Sequence, residues 1–112
     1  MRLWLVDPKL LCRKHLLGEH VECHMFVGAL NKGKSVEGFI RNGLFNGPAL
    51  KNRHEELAAE IERRGYNHKS PLVDLNINPY DFVGYVNTKA NLVELAKRCE
   101  ECKKLQDEAI KI

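Results

Sequence analysis

Residues 7–33 constrain the fold more than any other stretch. Asp7-Pro8 has the form of a helix start, a capping carboxylate followed by proline in the first turn. Asn31-Lys32-Gly33-Lys34 has the form of a stop. The pattern between them predicts a helix from about Lys9 to Leu30 or Asn31. Its apolar residues fall on two stripes: Leu10, Leu17 and Val21 on one, and Cys12, Leu16, Cys23 and Leu30 on the other. A helix apolar on two flanks packs between neighbours and does not lie on a surface.

Two more helices are predicted. One runs from about Pro48 to Arg64, with Leu50, Leu57, Ala58 and Ile61 in register and Gly65 as its C-terminal cap. The other runs from about Thr88 to Ile110, capped by Asn87 or Thr88. A short helix around Val36–Arg41 fits between the first long helix and the one that starts near Pro48. Residues 32–47 are glycine-rich loop, and 72–86 read as a long ordered connection marked by Asn78-Pro79 and Gly84. The expected fold is all-α: one domain over residues 1–112, a compact three-helix bundle with long loops.

With 44% apolar and 29% charged residues, the chain has the composition of a soluble globular protein. Its N-terminus lacks the longer apolar region and cleavage site of a signal peptide, so a cytoplasmic protein is expected (host cytoplasm if viral). The formal charge of +3 is uneven. Residues 1–54 hold nine Lys/Arg against four Asp/Glu, and residues 55–112 hold nine against eleven. A basic half suits a polyanionic partner. Cytosolic surroundings argue against disulfides among Cys12, Cys23, Cys99 and Cys102. Cys99-Glu100-Glu101-Cys102 raises zinc or redox chemistry, but no second CxxC or histidine pair at zinc spacing accompanies it. Cys99 and Cys102 share a stripe with Leu92, Leu95 and Leu105, which reads as buried thiols.

One face of the first helix is unusual. Taking Glu22 as reference, His15 lies about 20° away, Gly18 about 40° and Glu19 about 60°. Two carboxylates and a histidine between apolar stripes should be partly enclosed, and buried carboxylates are costly unless paired or used. Gly18 costs about 1 kcal/mol in a helix interior. An approach to the backbone there, by a ligand or an N-terminal strand, would explain it.

The run His15-Leu16-Leu17-Gly18-Glu19-His20-Val21-Glu22, followed by Phe26-Val27-Gly28-Ala29-Leu30, resembles the first helix of the pyrimidine-dimer DNA glycosylases, the phage T4 endonuclease V family. The run from Arg53 to Asn67 is similar to that family's second helix and its Arg-Gly-aromatic-Asn exit. His68-Lys69-Ser70-Pro71-Leu72 is similar to its compact branch.

The resemblance implies an N-terminal segment threaded between helices 1 and 3. It implies a DNA glycosylase that is also an abasic-site lyase, acting on damaged double-stranded DNA as a monomer, with no metal or organic cofactor. The chain's α-amine forms an imine with C1′, and the carboxylate at the Glu22 position serves both steps. The chemistry is reasonable for an α-amine, a group that titrates at about 7.7–8.0 against about 10.4 for lysine and so is partly neutral at physiological pH. Arg2 aligns with the arginine that follows the family's nucleophilic residue. Met1 therefore takes the nucleophile's place, and a residue as large as Arg2 in second position predicts that Met1 is retained. Arg2 and His15 are expected at the DNA or flipped nucleotide. Arg98 is expected on phosphate, and Arg53, Lys32, Lys34 and Arg41 are candidates for DNA-backbone contacts.

The family's arginines one residue before and three after the glutamate are Val21 and Met25 here, and its aromatic, basic C-terminal tail is missing. These departures touch lesion recognition more than imine chemistry. The alternatives are a non-catalytic DNA-binding module of the same fold, and a small metal or redox protein using Cys99 and Cys102.

Overall fold

In a computed structural model, which describes residues 1–110, the regular structure is helical, with no strand among the described residues. Five helices are formed: α1 (Arg13–Asn31), α2 (Glu37–Arg41), α3 (Leu50–Arg63), α4 (Thr88–Arg98) and α5 (Glu100–Ile110). Short 3₁₀ turns occupy Pro8–Leu10, Gly47–Ala49 and Pro79–Phe82.

The helical class is as expected, but the count of three is not. The first break lies at the start of the first predicted helix. Asp7 does cap a turn, its carboxylate accepting from the Lys9 amide at 3.0 Å. That turn is the 3₁₀ segment Pro8–Leu10, and Leu11 then goes extended. The guanidinium of Arg64 donates to the carbonyls of Pro8 (3.1 Å) and Leu11 (2.7 Å), which a continuous helix would have used itself. Helix α1 restarts at Arg13 behind Cys12. The second break is at Cys99, whose φ of −141° and ψ of 111° divide the predicted Thr88–Ile110 helix into α4 and α5.

Other local readings hold. Asn87 caps α4 by accepting from the Ala90 amide at 3.0 Å. Gly65 ends α3 with φ of 84°, and the Tyr66 amide reaches back to the Ile61 carbonyl at 3.0 Å.

The core is formed by Leu11, Leu16, Phe26, Phe45, Leu50, Leu57, Ile61 and Leu95, with Leu3 and Trp4 of the N-terminal segment. Phe26 and Phe45 stack with ring centroids 4.2 Å apart. Only one of the two predicted α1 stripes is buried. Val21 is 54% exposed and Leu10 and Leu17 are half-buried, so α1 presents Leu16, Cys23, Phe26, Val27 and Leu30 inward, with Glu19 and His20 among them. The long connection after α3 is tied to the end of α1 by Asn31, which donates to the Asp74 carbonyl (3.0 Å) and accepts from the Asn76 amide (2.8 Å). At Gly84 a side chain would collide with the Phe45 carbonyl, so this connection lies directly on the backbone before α3. No described helix is long and apolar enough to cross a membrane.

Candidate active site

Glu19 and Glu22 stand one turn apart on α1, and both face the N-terminal segment. Glu19 is fully buried and meets Arg53 of α3 through two parallel bonds, 2.6 Å from Nε and 2.9 Å from Nη2. The third arm of Arg53, Nη1, donates to the Val6 carbonyl at 2.6 Å. The Leu5 amide points to Glu19 Oε2 at 3.5 Å. Leu5 has φ of 55°, a left-handed conformation that disfavours any residue with a Cβ. The buried pair thus grips residues 5 and 6 on either side of a strained turn, which sets the direction of the four residues before it.

Those residues run to Glu22. The Arg2 amide donates to Glu22 Oε1 at 3.2 Å, and the Met1 α-amine lies 3.8 Å from the same oxygen. The Leu3 amide donates to the Leu44 carbonyl at 2.7 Å. From α4, Asn91 accepts from Arg2 Nη2 at 2.7 Å and donates to the Trp4 carbonyl at 2.8 Å. Side-chain exposures of 18% for Met1 and 26% for Glu22 leave the pair enclosed but reachable. Burial raises the Glu22 carboxyl above the ordinary carboxylate range, against the opposing pull of the Arg2 amide and the α-amine.

The Arg2 guanidinium lies over the Trp4 ring, 3.7 Å from its centroid, and Arg98 approaches the same ring at 5.4 Å. Burial and the nearby Arg98 both lower the Arg2 pKa from its ordinary value. Among the described residues, the buried Nε of Arg2 has no hydrogen-bond partner. A cleft of about 460 Å³ opens beside Arg2. It is lined by Arg41, Asn42, Asn87 and Asn91, with Tyr85, 77% exposed, among the lining residues.

The structure therefore brings Met1, Arg2 and Glu22 together, with Arg98 nearby and Arg41 in the lining of the cleft beside Arg2, and it gives the other expected residues different surroundings. Arg53 is 1% exposed and fully engaged, so it has no face to offer a phosphate; its work is inside the fold. His15 turns its Nδ1 to Cys12 Sγ (3.2 Å) and Cys102 Sγ (3.5 Å), and its ring edge to Trp4. Lys32, Lys34 and Arg41 are exposed, and Arg41 pairs with Glu37. Gly18 has open space where a Cβ would sit, so none of the described residues approaches it there. Asn91 was not foreseen. Its signal was position: an asparagine four residues before buried Leu95, on the inward stripe of a predicted helix.

The sequence profile of the pyrimidine dimer DNA glycosylase family matches residues 1–74, and the chain belongs to that family. The matched region contains Met1, Arg2, Glu19, Glu22 and Arg53, and it stops before Asn91, Arg98 and the CxxC. No curated protein and no solved structure matches the chain.

Proposed function

We propose that the protein excises pyrimidine dimers from double-stranded DNA and then cleaves the strand at the abasic site, using the Met1 amine as nucleophile and Glu22 as its carboxylate partner. The observation that carries this reading is the 3.8 Å approach of the α-amine to Glu22 Oε1 in a chain of this family.

The neutral amine attacks C1′ of the damaged nucleotide. The glycosidic bond breaks, and its electron pair leaves with the base, which takes up a proton. The nitrogen then loses a proton, the C1′–O4′ bond breaks with its electron pair going to O4′, which takes up that proton, and a protonated imine forms between Met1 and C1′. A carboxylate beside that nitrogen stabilises the positive charge of both states in a site partly shielded from water. Glu22 then accepts a proton from C2′. The electron pair moves to expel the 3′ phosphate, and the strand breaks. Hydrolysis of the imine frees Met1.

The N-terminal segment, threaded between α1 and α4, delivers the amine. Arg2 supplies a positive charge at the same point, beside the cleft, suited to a phosphate or a nucleotide oxygen. Arg98, Arg41, Lys32 and Lys34 supply backbone contacts, and His15 acts behind Trp4. Tyr85 in the cleft lining offers a face on which a displaced base can stack.

The test is incubation with a duplex carrying one defined cyclobutane dimer, with and without borohydride. Strand cleavage without the reductant and a covalent protein–DNA adduct with it are expected. Salt-dependent binding with neither product identifies a non-catalytic DNA-binding module and overturns the proposal.

A further inference from the structure

Beside Trp4, whose ring meets that of His15 with centroids 6.0 Å apart, Cys12, His15, Cys99 and Cys102 converge. Their four ligand atoms all lie within 4.8 Å of one another. Cys12 Sγ is 3.8 Å from Cys99 Sγ and 3.2 Å from His15 Nδ1, and Cys102 Sγ is 3.5 Å from the same nitrogen. A tetrahedral zinc ion with Zn–S of about 2.3 Å and Zn–N of about 2.0–2.1 Å sets S···S edges of about 3.8 Å and S···N edges of about 3.6 Å. A disulfide would need sulfurs about 2.0 Å apart.

The backbone is arranged for the same purpose. Cys12 is the residue before α1, and its side chain makes no capping bond to that helix. Cys99 is the extended residue between α4 and α5. Both departures from continuous helix thus coincide with a cysteine of the cluster. Two amides point at sulfur: Cys12 N donates to Cys102 Sγ at 3.3 Å and Cys102 N to Cys99 Sγ at 3.4 Å. Such bonds support thiolate ligands from behind. Each half is a close pair, Cys12-x₂-His15 and Cys99-x₂-Cys102, and the two pairs come from opposite ends of the chain.

The second histidine-rich cluster differs. His20, His54 and His68 also meet between α1 and α3. There both ring nitrogens of His54 are taken by Glu55 (3.0 Å) and the Ser70 carbonyl (3.2 Å), and the Nε2 atoms of His20 and His68 bond each other at 2.9 Å. His54 is thus already engaged by groups outside the cluster. The four cysteine and histidine ligand atoms bond to each other and to backbone amides of the same cluster.

We propose that Cys12, His15, Cys99 and Cys102 form a structural zinc site. Four protein ligands close the tetrahedron, so the ion has no open position for water or substrate, and its work is to join the start of α1 to the α4–α5 junction.

The experiment is metal analysis of the full chain expressed with zinc, followed by cobalt exchange. One zinc per chain and a cobalt spectrum with thiolate charge-transfer bands and intense tetrahedral d–d bands are expected. These readouts use the unaltered protein, so they do not depend on any variant folding. Removing the metal with a chelator should lower Tm by at least about 10 °C, and zinc should restore it. Cys99→Ser should weaken binding more than the roughly hundredfold that loss of an outer-shell partner costs. His15→Cys should keep one metal per chain with an all-thiolate cobalt spectrum, and His68→Ala should keep the metal unchanged. Protein without stoichiometric zinc, cobalt bound without thiolate charge transfer, or metal lost with His68→Ala instead of Cys99→Ser would overturn the proposal.

Discussion

Glu19 and Glu22 are the same residue type, one turn apart on one helix, and their surroundings assign them opposite tasks. Glu19 is sealed in the interior with all its bonding spent on Arg53 and the backbone of Leu5. Glu22 keeps one oxygen on the Arg2 amide and the α-amine and remains partly open to solvent. A buried ion pair contributes little net stability, because desolvation consumes most of its Coulomb energy. The value of Glu19–Arg53 therefore lies in geometry: it holds Leu5 in a left-handed turn and so aims the amine at Glu22. One carboxylate builds the candidate site, and in the proposed mechanism the other works in it.

Substitutions should separate the two. Glu22→Gln, which preserves shape, is expected to lower dimer excision by about 10²–10⁴-fold, the range for removing a positioned acid–base group. Its unfolding transition should stay near that of the unaltered protein; single-turnover incision beside thermal unfolding checks both. Arg53→Ala should reverse the pattern. It strands the Glu19 charge in the core and should cost about 3–5 kcal/mol of stability, read by urea unfolding. Restoration of that loss by adding Glu19→Gln would sharpen the contrast, whereas a stable single variant would break it.

Asn91→Ala removes bonds to both Arg2 and the Trp4 carbonyl. It should cost about 1–3 kcal/mol of stability and also reduce incision, because it touches the segment shared by the two carboxylates.

The smallest effect is in pH dependence. The folded-state pKa of Glu22 is raised, so its burial favours the protonated form. Its contribution to stability is present below the unfolded value and is lost as pH rises through the folded value. Glu22→Gln should therefore gain slightly on the unaltered protein between acid and neutral pH. His20 acts in the opposite direction. Burial and three neighbouring histidines depress its pKa from 6.5 to about 4, so stability should fall as pH drops through that interval in both proteins. Parallel denaturation curves at pH 4 to 7 check this.

The helical class, the caps at Asp7, Asn87 and Gly65, and the enclosed carboxylate face were legible because each is a local signal read within one or two turns. The helix breaks at Leu11 and Cys99 were not. Both are imposed from a distance, by Arg64 taking the carbonyls of Pro8 and Leu11 and by the gathering of Cys12, His15, Cys99 and Cys102. Arg53 reads as a surface arginine in sequence because its partner, Glu19, is 34 residues away on another helix. The Cys12-x₂-His15 pair was hidden for a related reason: it sits within an apolar stripe, where cysteine looks like packing. Tertiary partners, invisible to periodicity, decided each of these.

The central claim is that the reactive nitrogen is the chain's own terminus. Its most direct test is to trap the protein on dimer-containing duplex with borohydride, digest the adduct, and locate the added sugar by tandem mass spectrometry. The account predicts a reduced linkage on the Met1 α-nitrogen, absent when that amine is first blocked. A linkage on a lysine side chain, such as Lys32 or Lys34, or an adduct that survives blocking, would contradict it.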